Sequence, residues 1–227
     1  MLFRSHAPGL PLLQTIALFF RNPVLALTAL SAGLTAFVGY ALLNWSPSYL
    51  IRVRHMSREE IALYYSLLVG LSGAAGTFGS GWLVDTLGRM NRRAYALVPM
   101  GCVAVSLPFF MLYASAPNWP LALLCLAIPA LLLNGYLAPA LAVVQNAVPP
   151  AQRGTASALL LFILNLIGLG GGPVFVGWLS DRFKPAYGTA SLQMAFYGLA
   201  PFFVLCVLSH YAASRAIGRD ARLAAAR

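Results

Sequence analysis

The sequence predicts an all-α integral membrane fold in which six transmembrane helices form a 3+3 inverted repeat. Three observations carry this. Of 227 residues, 60% are hydrophobic and only 9% charged, against roughly one quarter charged in a soluble domain. Six apolar segments are each about 20 residues or longer, enough to cross a hydrocarbon core of about 30 Å. A phrase also recurs, Gly81-Trp82-Leu83-Val84-Asp85 and Gly177-Trp178-Leu179-Ser180-Asp181, 96 positions apart from Gly81 to Gly177. The same offset carries the first three segments onto the last three. A unit with three crossings starts and finishes on opposite sides, so its second copy must run upside down, as in secondary transporters.

Taken in order, residues 1–22 hold a short apolar stretch, Gly9 to Phe20, broken by Pro11 and followed by Arg21. It lacks a small-residue cleavage site, which argues for a cytoplasmic linker or interfacial segment over a signal peptide. The predicted spans are Pro23 to Leu43, Ile61 to Val84, Ala94 to Ala114, Leu121 to Val148, Thr155 to Ser180 and Leu192 to Ser214. They define a membrane domain over 23–214, with copies at about 23–114 and 121–214, and a basic cytoplasmic tail at 215–227. All read as helices, because in lipid a helix satisfies its own backbone polar groups and these segments are too long and evenly apolar for barrel strands.

Charge sets the orientation. With the N-terminus cytoplasmic, the inside sections hold Arg4, Arg21, Arg89, Arg92, Arg93, Arg153, Arg215, Arg219, Arg222 and Arg227, which is 10 of the 15 basic residues. The outside sections hold Arg52, Arg54, Arg58, Arg182 and Lys184. The positive-inside rule therefore predicts both termini in the cytoplasm. The formal charge of +10 is accounted for by topology; no basic stripe with interleaved aromatics points to nucleic acid. Cys102, Cys125 and Cys206 fall in three different spans without a CxxC pair, and His6, His55 and His210 are scattered, so neither a metal site nor a cofactor is expected.

The strongest local pattern is Gly81-x-Leu83-x-Asp85-x-x-Gly88-Arg89-x-x-Arg92-Arg93. It resembles the signature loop of the major facilitator superfamily, in the copy joining the second and third helices of a six-helix half. The resemblance continues at Pro150-x-x-Arg153-Gly154 and covers residues 21 to 214. Thr86 departs from it, standing where that family often carries a basic residue. The resemblance implies half of a major facilitator fold, the C-terminal half, with a missing N-terminal six-helix half or a homodimer partner completing a carrier in the bilayer. Asn44-Trp45-Ser46-Pro47-Ser48-Tyr49-Leu50 and the run from Asn165 to Asp181 look most like Spinster-type carriers. That implies proton-linked export of lysolipids, sphingoid lipids or other amphiphilic small molecules, from a bacterial inner membrane.

Candidate functional residues follow from placement. Asp85 ends the second span on the side where the fifth begins near Thr155, so it is expected to act as a cytoplasmic latch against that helix's positive N-terminal end. Gly81, Gly88, Arg89, Arg92 and Arg153 share that latch. On the outer side, Ser57-Arg58-Glu59-Glu60 reads as a capping box, and Asp181, the repeat-related partner of Asp85, is expected near Arg58 as an outer gate. Glycines at 70, 73, 76 and 79, and the run Gly168, Gly170, Gly171, Gly172 and Pro173, point to close helix contact or bending.

Polar side chains inside apolar helices are costly unless they face protein or a wet cavity. Thr28, Ser31, Thr35, Tyr40 and Asn44 on the first span, Asn134 and Gln145 on the fourth and Asn165 on the fifth are the candidate substrate-lining set. Trp45 and Trp119 read as interface anchors. No titratable group is expected deep in a span, with His210 read as lying near the cytoplasmic end of the sixth. Two other readings compete with a carrier module. One is a folded, transport-inactive fragment; the other is an intramembrane serine protease using Ser80 and His210, which lacks a GxSG context, so no enzyme activity is expected.

Overall fold

A computed structural model describes residues 12–225; residues 1–11 and 226–227, with Arg4, His6, the start of the 9–20 stretch and Arg227, lie outside the described residues. The described residues are helical throughout apart from short turns, with no strand among them. A short helix α1 (Leu12–Arg21) is followed by α2 (Pro23–Arg54), then α3 (Arg58–Glu60), a π turn (Ile61–Tyr65) and α4 (Ser66–Gly88) in one rod. Next come α5 (Ala94–Ser115), α6 (Trp119–Leu132) and α7 (Leu137–Asn146). The last stretch comprises α8 (Arg153–Leu164), a second π turn (Asn165–Leu169), α9 (Gly170–Tyr187), α10 (Ser191–Tyr197) and α11 (Ala200–Ala225). Five helical stretches are long and apolar enough to cross a membrane, the last being Pro150–Arg222 at 73 residues.

Local chemistry explains the ends. Asn22 precedes Pro23 and its side chain accepts from the Val24 N–H at 2.9 Å; Asn118, 96 positions on, precedes the Trp119–Pro120 start and accepts from the Leu121 N–H at 3.1 Å. Each is a helix N-cap with a proline in the first turn. The predicted capping box forms in full, with the Ser57 N–H donating to Glu60 Oε2 at 2.8 Å and the Glu60 N–H to Ser57 Oγ at 3.2 Å. Gly188 turns the chain after α9 at φ 54°, a conformation glycine adopts freely, and α10 packs back on α9.

Several expected boundaries need correction. The first span does not stop at Leu43: α2 runs to Arg54, because the bond lost at Pro47 is replaced from outside the helix, as described below. The fourth segment is not one helix but breaks at residues 133–136, between Pro129 and Pro139. The glycine and proline run of the fifth does not break its helix, since the π turn precedes it and α9 continues to Tyr187. Asp181 therefore lies inside α9 and not at its end. The sixth is offset at Gly198 and Leu199, and its helix continues through the expected tail to Ala225.

Packing follows the 96-residue correspondence seen in the sequence. α4 packs on α6 and α9 on α2; α5 packs on α6 and α11 on α2; α5 and α11 meet each other. The buried positions correspond too: Gly76, Ser80 and Val84 on α4, and Gly172, Val176 and Ser180 on α9, each 96 apart. A Cβ at Gly76 would collide with the Leu131 carbonyl, and one at Gly172 with the Phe37 carbonyl, so backbones touch at both crossings. The expectation of close contact holds there, while Gly70, Gly73 and Gly79 face open space. Aromatic stacking of Phe110 on Phe203 at 4.9 Å and Tyr49 against Phe196 at 5.0 Å fills the core where α2, α5, α10 and α11 meet.

Candidate functional site

A cavity of about 220 Å³ lies among α2, the π turn, α4, α6 and the start of α7. Its polar contributors are Tyr40, Ser46, Tyr65, Thr77, Asn134 and Tyr136; the rest of the wall is aliphatic. Asn134 and Tyr136 reach it because the helix is interrupted there. Pro129 and Pro139 each remove one backbone donor, and Gly135 fits under Ser80, whose Cβ would lie 3.0 Å from an added methyl. Irregular backbone at this depth is tolerated where it is enclosed or lines a cavity.

The candidate lining residues divide four ways. Tyr40 and Asn134 line this cavity, with the Asn134 amide donating to the Ala130 carbonyl at 2.7 Å. Thr28, Ser31 and Thr35 do not; they are buried against α11, where the Thr35 hydroxyl donates to Ser31 O at 2.9 Å and lies 2.9 Å from His210 Nε2. Asn44 and Asn165 are exposed and spend their amides on their own helix, on Tyr40 O and Leu161 O. Gln145 belongs to the α7–α8 turn instead: its amide donates to Ser157 Oγ at 3.3 Å, while Arg153 Nε donates to its carbonyl at 3.0 Å. A residue expected in the cavity and one expected in the latch thus form a single turn clamp.

Asp85 and Arg89 are exposed, and the Asp85 carboxylate has no hydrogen-bond or ion-pair partner among the described residues. Gly81 meets nothing, whereas Gly88 seats the Tyr95 ring, whose Cε2 would lie 2.7 Å from an added Cβ. Arg92 lines a cavity of about 350 Å³ with Asp220. Arg58 and Asp181 are likewise exposed and form no ion pair among the described residues. Ser80 Oγ donates to Thr77 O at 3.1 Å while His210 pairs with Thr35, so the serine and histidine of the protease reading are engaged elsewhere.

Sequence reasoning missed the residues that tie α2 and α10 to the C-terminal end of α5. The Ala114 carbonyl, at the C-terminal end of α5, accepts from Tyr49 OH at 2.9 Å, Arg54 Nη2 at 3.0 Å and Gln193 Nε2 at 2.8 Å. Arg54, counted as a topology charge, is a cation against a partially negative helix end. Trp45, read from the sequence as an interface anchor, donates its Nε1–H to the Pro173 carbonyl on α9 at 2.8 Å. A proline four residues downstream of a free carbonyl was the one available signal, and it operates at Pro47 and Leu43.

Comparison with known proteins gives one consistent answer. Residues 4–173 match the profile of the Major Facilitator Superfamily. An "MFS-type efflux pump" of Mycolicibacterium smegmatis is 32% identical over 201 residues, covering 88% of this chain and 47% of that protein. "Protein spinster homolog 1" of Rattus norvegicus is 27% identical, with 82% and 38% covered. A "phosphoglycerate transporter protein" of Salmonella typhimurium is 28% identical, with 76% and 36% covered. The chain thus spans half or less of the length of these relatives. In fold, it superposes on an inward-facing, unoccupied bacterial homologue of the human lysosomal transporter Spinster with a TM-score of 0.83 at 23% identity, over 96% of this chain and 54% of that one.

Proposed function

Because this chain belongs to the major facilitator superfamily, being Spinster-like within it, we propose that it is a six-helix half of a secondary carrier for amphiphilic small molecules. The observation that carries the reading is the cavity beside the broken α6–α7 helix, since discontinuous helices at membrane depth mark the sites of such carriers. Its wall is apolar with a few hydroxyl and amide groups, the make-up of a pocket for a ligand with a large apolar part. No Lys or Arg lines it among the described residues, which favours an amphiphile over a phosphorylated acid, whose charge calls for cations.

The same proposal includes six crossings and an inverted duplication. A straight helix over residues 150–222 would reach about 110 Å at about 1.5 Å per residue, so the turn at Gly188 is read as the outer end of a fifth crossing and the start of a sixth. The reciprocal packing of α4 on α6 and α9 on α2 supports a pseudo-twofold axis relating the copies. Both termini are assigned to the cytoplasm of a bacterium by the arginine bias. Asp85, free of partners, is read as the open form of the cytoplasmic latch, and Arg58 with Asp181 as its outer counterpart. The exposed apolar faces of α4 and α9, which include Phe78, Trp82, Val174 and Trp178, are then covered by lipid and by a second six-helix half.

Reconstitution into liposomes tests this, with the chain alone and with the six-helix half of a related carrier, using ethidium as the probe. Flux only with both halves is expected. Flux by the chain alone would overturn the half-carrier reading, and no flux in either case would favour a transport-inactive fragment.

A further inference from the structure

An open groove of about 830 Å³ lies between the start of α2 and the C-terminal half of α11. Arg21, Arg215, Arg219 and Asp220 line it, so three arginines against one aspartate leave it at +2, and no ion pair joins any of the four among the described residues. Asp220 also lines the cavity of Arg92. Arg215 is held in place: its Nη1 donates to Tyr211 OH at 3.1 Å, and its guanidinium carbon lies 5.9 Å from the centre of the Tyr211 ring. Asn22 lines the groove too. Its Oδ1 is taken up by the Val24 N–H in the cap of α2, which leaves its NH2 as a further donor.

Both walls continue as exposed apolar faces. On α11, Val204, Leu208, Tyr211, Arg215 and Arg219 follow at steps of four, three, four and four and so share one face, of which Val204, Leu208 and Tyr211 are exposed. On α2, Pro23, Leu27 and Leu30 share a face in the same way, and Leu30 is exposed. α2 begins at the groove, α11 runs into it, and farther along the pair Thr35 meets His210. The two helices are therefore antiparallel, and their apolar faces lead away from the arginines in the same direction. From Arg215 back to Val204 is about 16 Å at about 1.5 Å per residue, close to half of a hydrocarbon core about 30 Å thick. Tyr211 stands where the face changes from aliphatic to cationic, the usual place of an interfacial aromatic.

We propose that this groove binds the head group of an anionic phospholipid, with the arginines on its phosphate and its acyl chains along the apolar faces of α2 and α11. Guanidinium groups hold phosphate oxygens through paired, charge-assisted hydrogen bonds, and basic pockets between helices at the membrane surface recognise lipid heads in this way. A free phosphate shares that chemistry but leaves the apolar faces unused, whereas a lipid matches both parts. A zwitterionic head brings its own cation into a groove already at +2, which disfavours it. The site shares no lining residue with the 220 Å³ cavity, and nothing in it requires that the chain transport anything. A lipid bound there ties the start of the first long helix to the end of the last through one phosphate.

The test titrates the chain, in a neutral detergent, with dioctanoyl phosphatidylglycerol and reads the lipid-bound form by native mass spectrometry. Dioctanoyl phosphatidylcholine is expected to bind more weakly by about tenfold or more, and equal affinities overturn the proposal. Arg21→Gln, Arg215→Gln and Arg219→Gln together should weaken phosphatidylglycerol binding by about fivefold per arginine. Arg52→Gln, Arg182→Gln and Lys184→Gln together change the net charge equally and should leave binding as it is; equal losses in the two triple variants would reveal general attraction to a cationic protein and overturn the site. Inorganic phosphate and glycerol phosphate serve as the competitors without acyl chains. Neither is expected to displace the lipid at equal concentration, and displacement would make the ligand a free phosphate and overturn the lipid. Photo-crosslinking of the wild-type chain decides the matter where the groove variant does not fold. Phosphatidylglycerol with a diazirine on its acyl chain should label the faces of Leu27 and Leu30 and of Val204, Leu208 and Tyr211 above the exposed face of α4, and uniform labelling overturns the proposal.

Discussion

The Tyr65 hydroxyl donates a 2.8 Å hydrogen bond to the Leu43 carbonyl, the group that Pro47, four residues on, leaves without a helical donor. One residue of the π turn therefore repairs the backbone of α2 and lets that helix run through its proline to Arg54. The same ring forms part of the cavity wall, so the repair also shapes the proposed site.

A double-mutant cycle isolates this bond. Tyr65→Phe should destabilise the chain by about 1–2 kcal/mol, the cost of an unsatisfied buried carbonyl. In a Pro47→Ala background, where a backbone N–H is available to Leu43 O, the same change should cost clearly less. Thermal unfolding in detergent measures both, and equal costs in the two backgrounds would show that Tyr65 acts through packing alone.

Glycines of one helix should respond oppositely. Gly76→Ala must push against the Leu131 carbonyl of α6, so stability should fall by about 1–3 kcal/mol, as for overpacking. Gly79→Ala meets open space and removes a helix-weakening glycine, which should leave stability unchanged or raise it by about 0.5–1 kcal/mol. Gly172→Ala, the 96-residue counterpart of Gly76 on α9, should behave like Gly76. Comparable melting temperatures for the three variants would contradict the packing described for the two crossings.

Trp45→Phe removes the Nε1 bond to Pro173 O together with the Cζ2–Cη2 edge of the indole, the part that an added Cβ on Gly177 would meet at 3.0 Å. A loss of about 1 kcal/mol is expected from one hydrogen bond. Crosslinking between cysteines placed on α2 and α9 should rise in rate as that staple loosens, and an unchanged rate would assign Trp45 to the lipid boundary after all.

Asp85→Asn tests the latch in the assembled carrier. Closing against a helix N-terminus involves about 0.3–1 kcal/mol per carboxylate, so the variant should shift inward and outward populations by a factor of about two to five toward the inward form. Distances between spin labels on the two halves read the shift, and identical distributions would leave Asp85 as a solvated loop residue.

Much of the architecture was legible in advance for a simple reason. Hydrophobic length is a property of the chain read locally, and the bilayer allows few backbone solutions, so an all-helical membrane protein follows from it. The capping box at Ser57 and the paired Asn22 and Asn118 caps are equally local, needing only residues two or three positions apart. Tyr40 and Asn134 could be placed in the cavity because a polar group on an apolar helix has few inexpensive locations.

The rest waited on packing. Whether Pro47 ends a helix depends on a hydroxyl 18 residues away, and whether Gln145 lines a cavity or clamps a turn depends on where Arg153 arrives. The polar face of Thr28, Ser31 and Thr35 was read as substrate-lining, yet it meets His210, 175 residues beyond Thr35, because only the folded bundle brings α11 alongside α2. Periodicity says which side chains share a face. It is the partner across that face, set by backbone approach at Gly76 and Gly172, that decides what the face does.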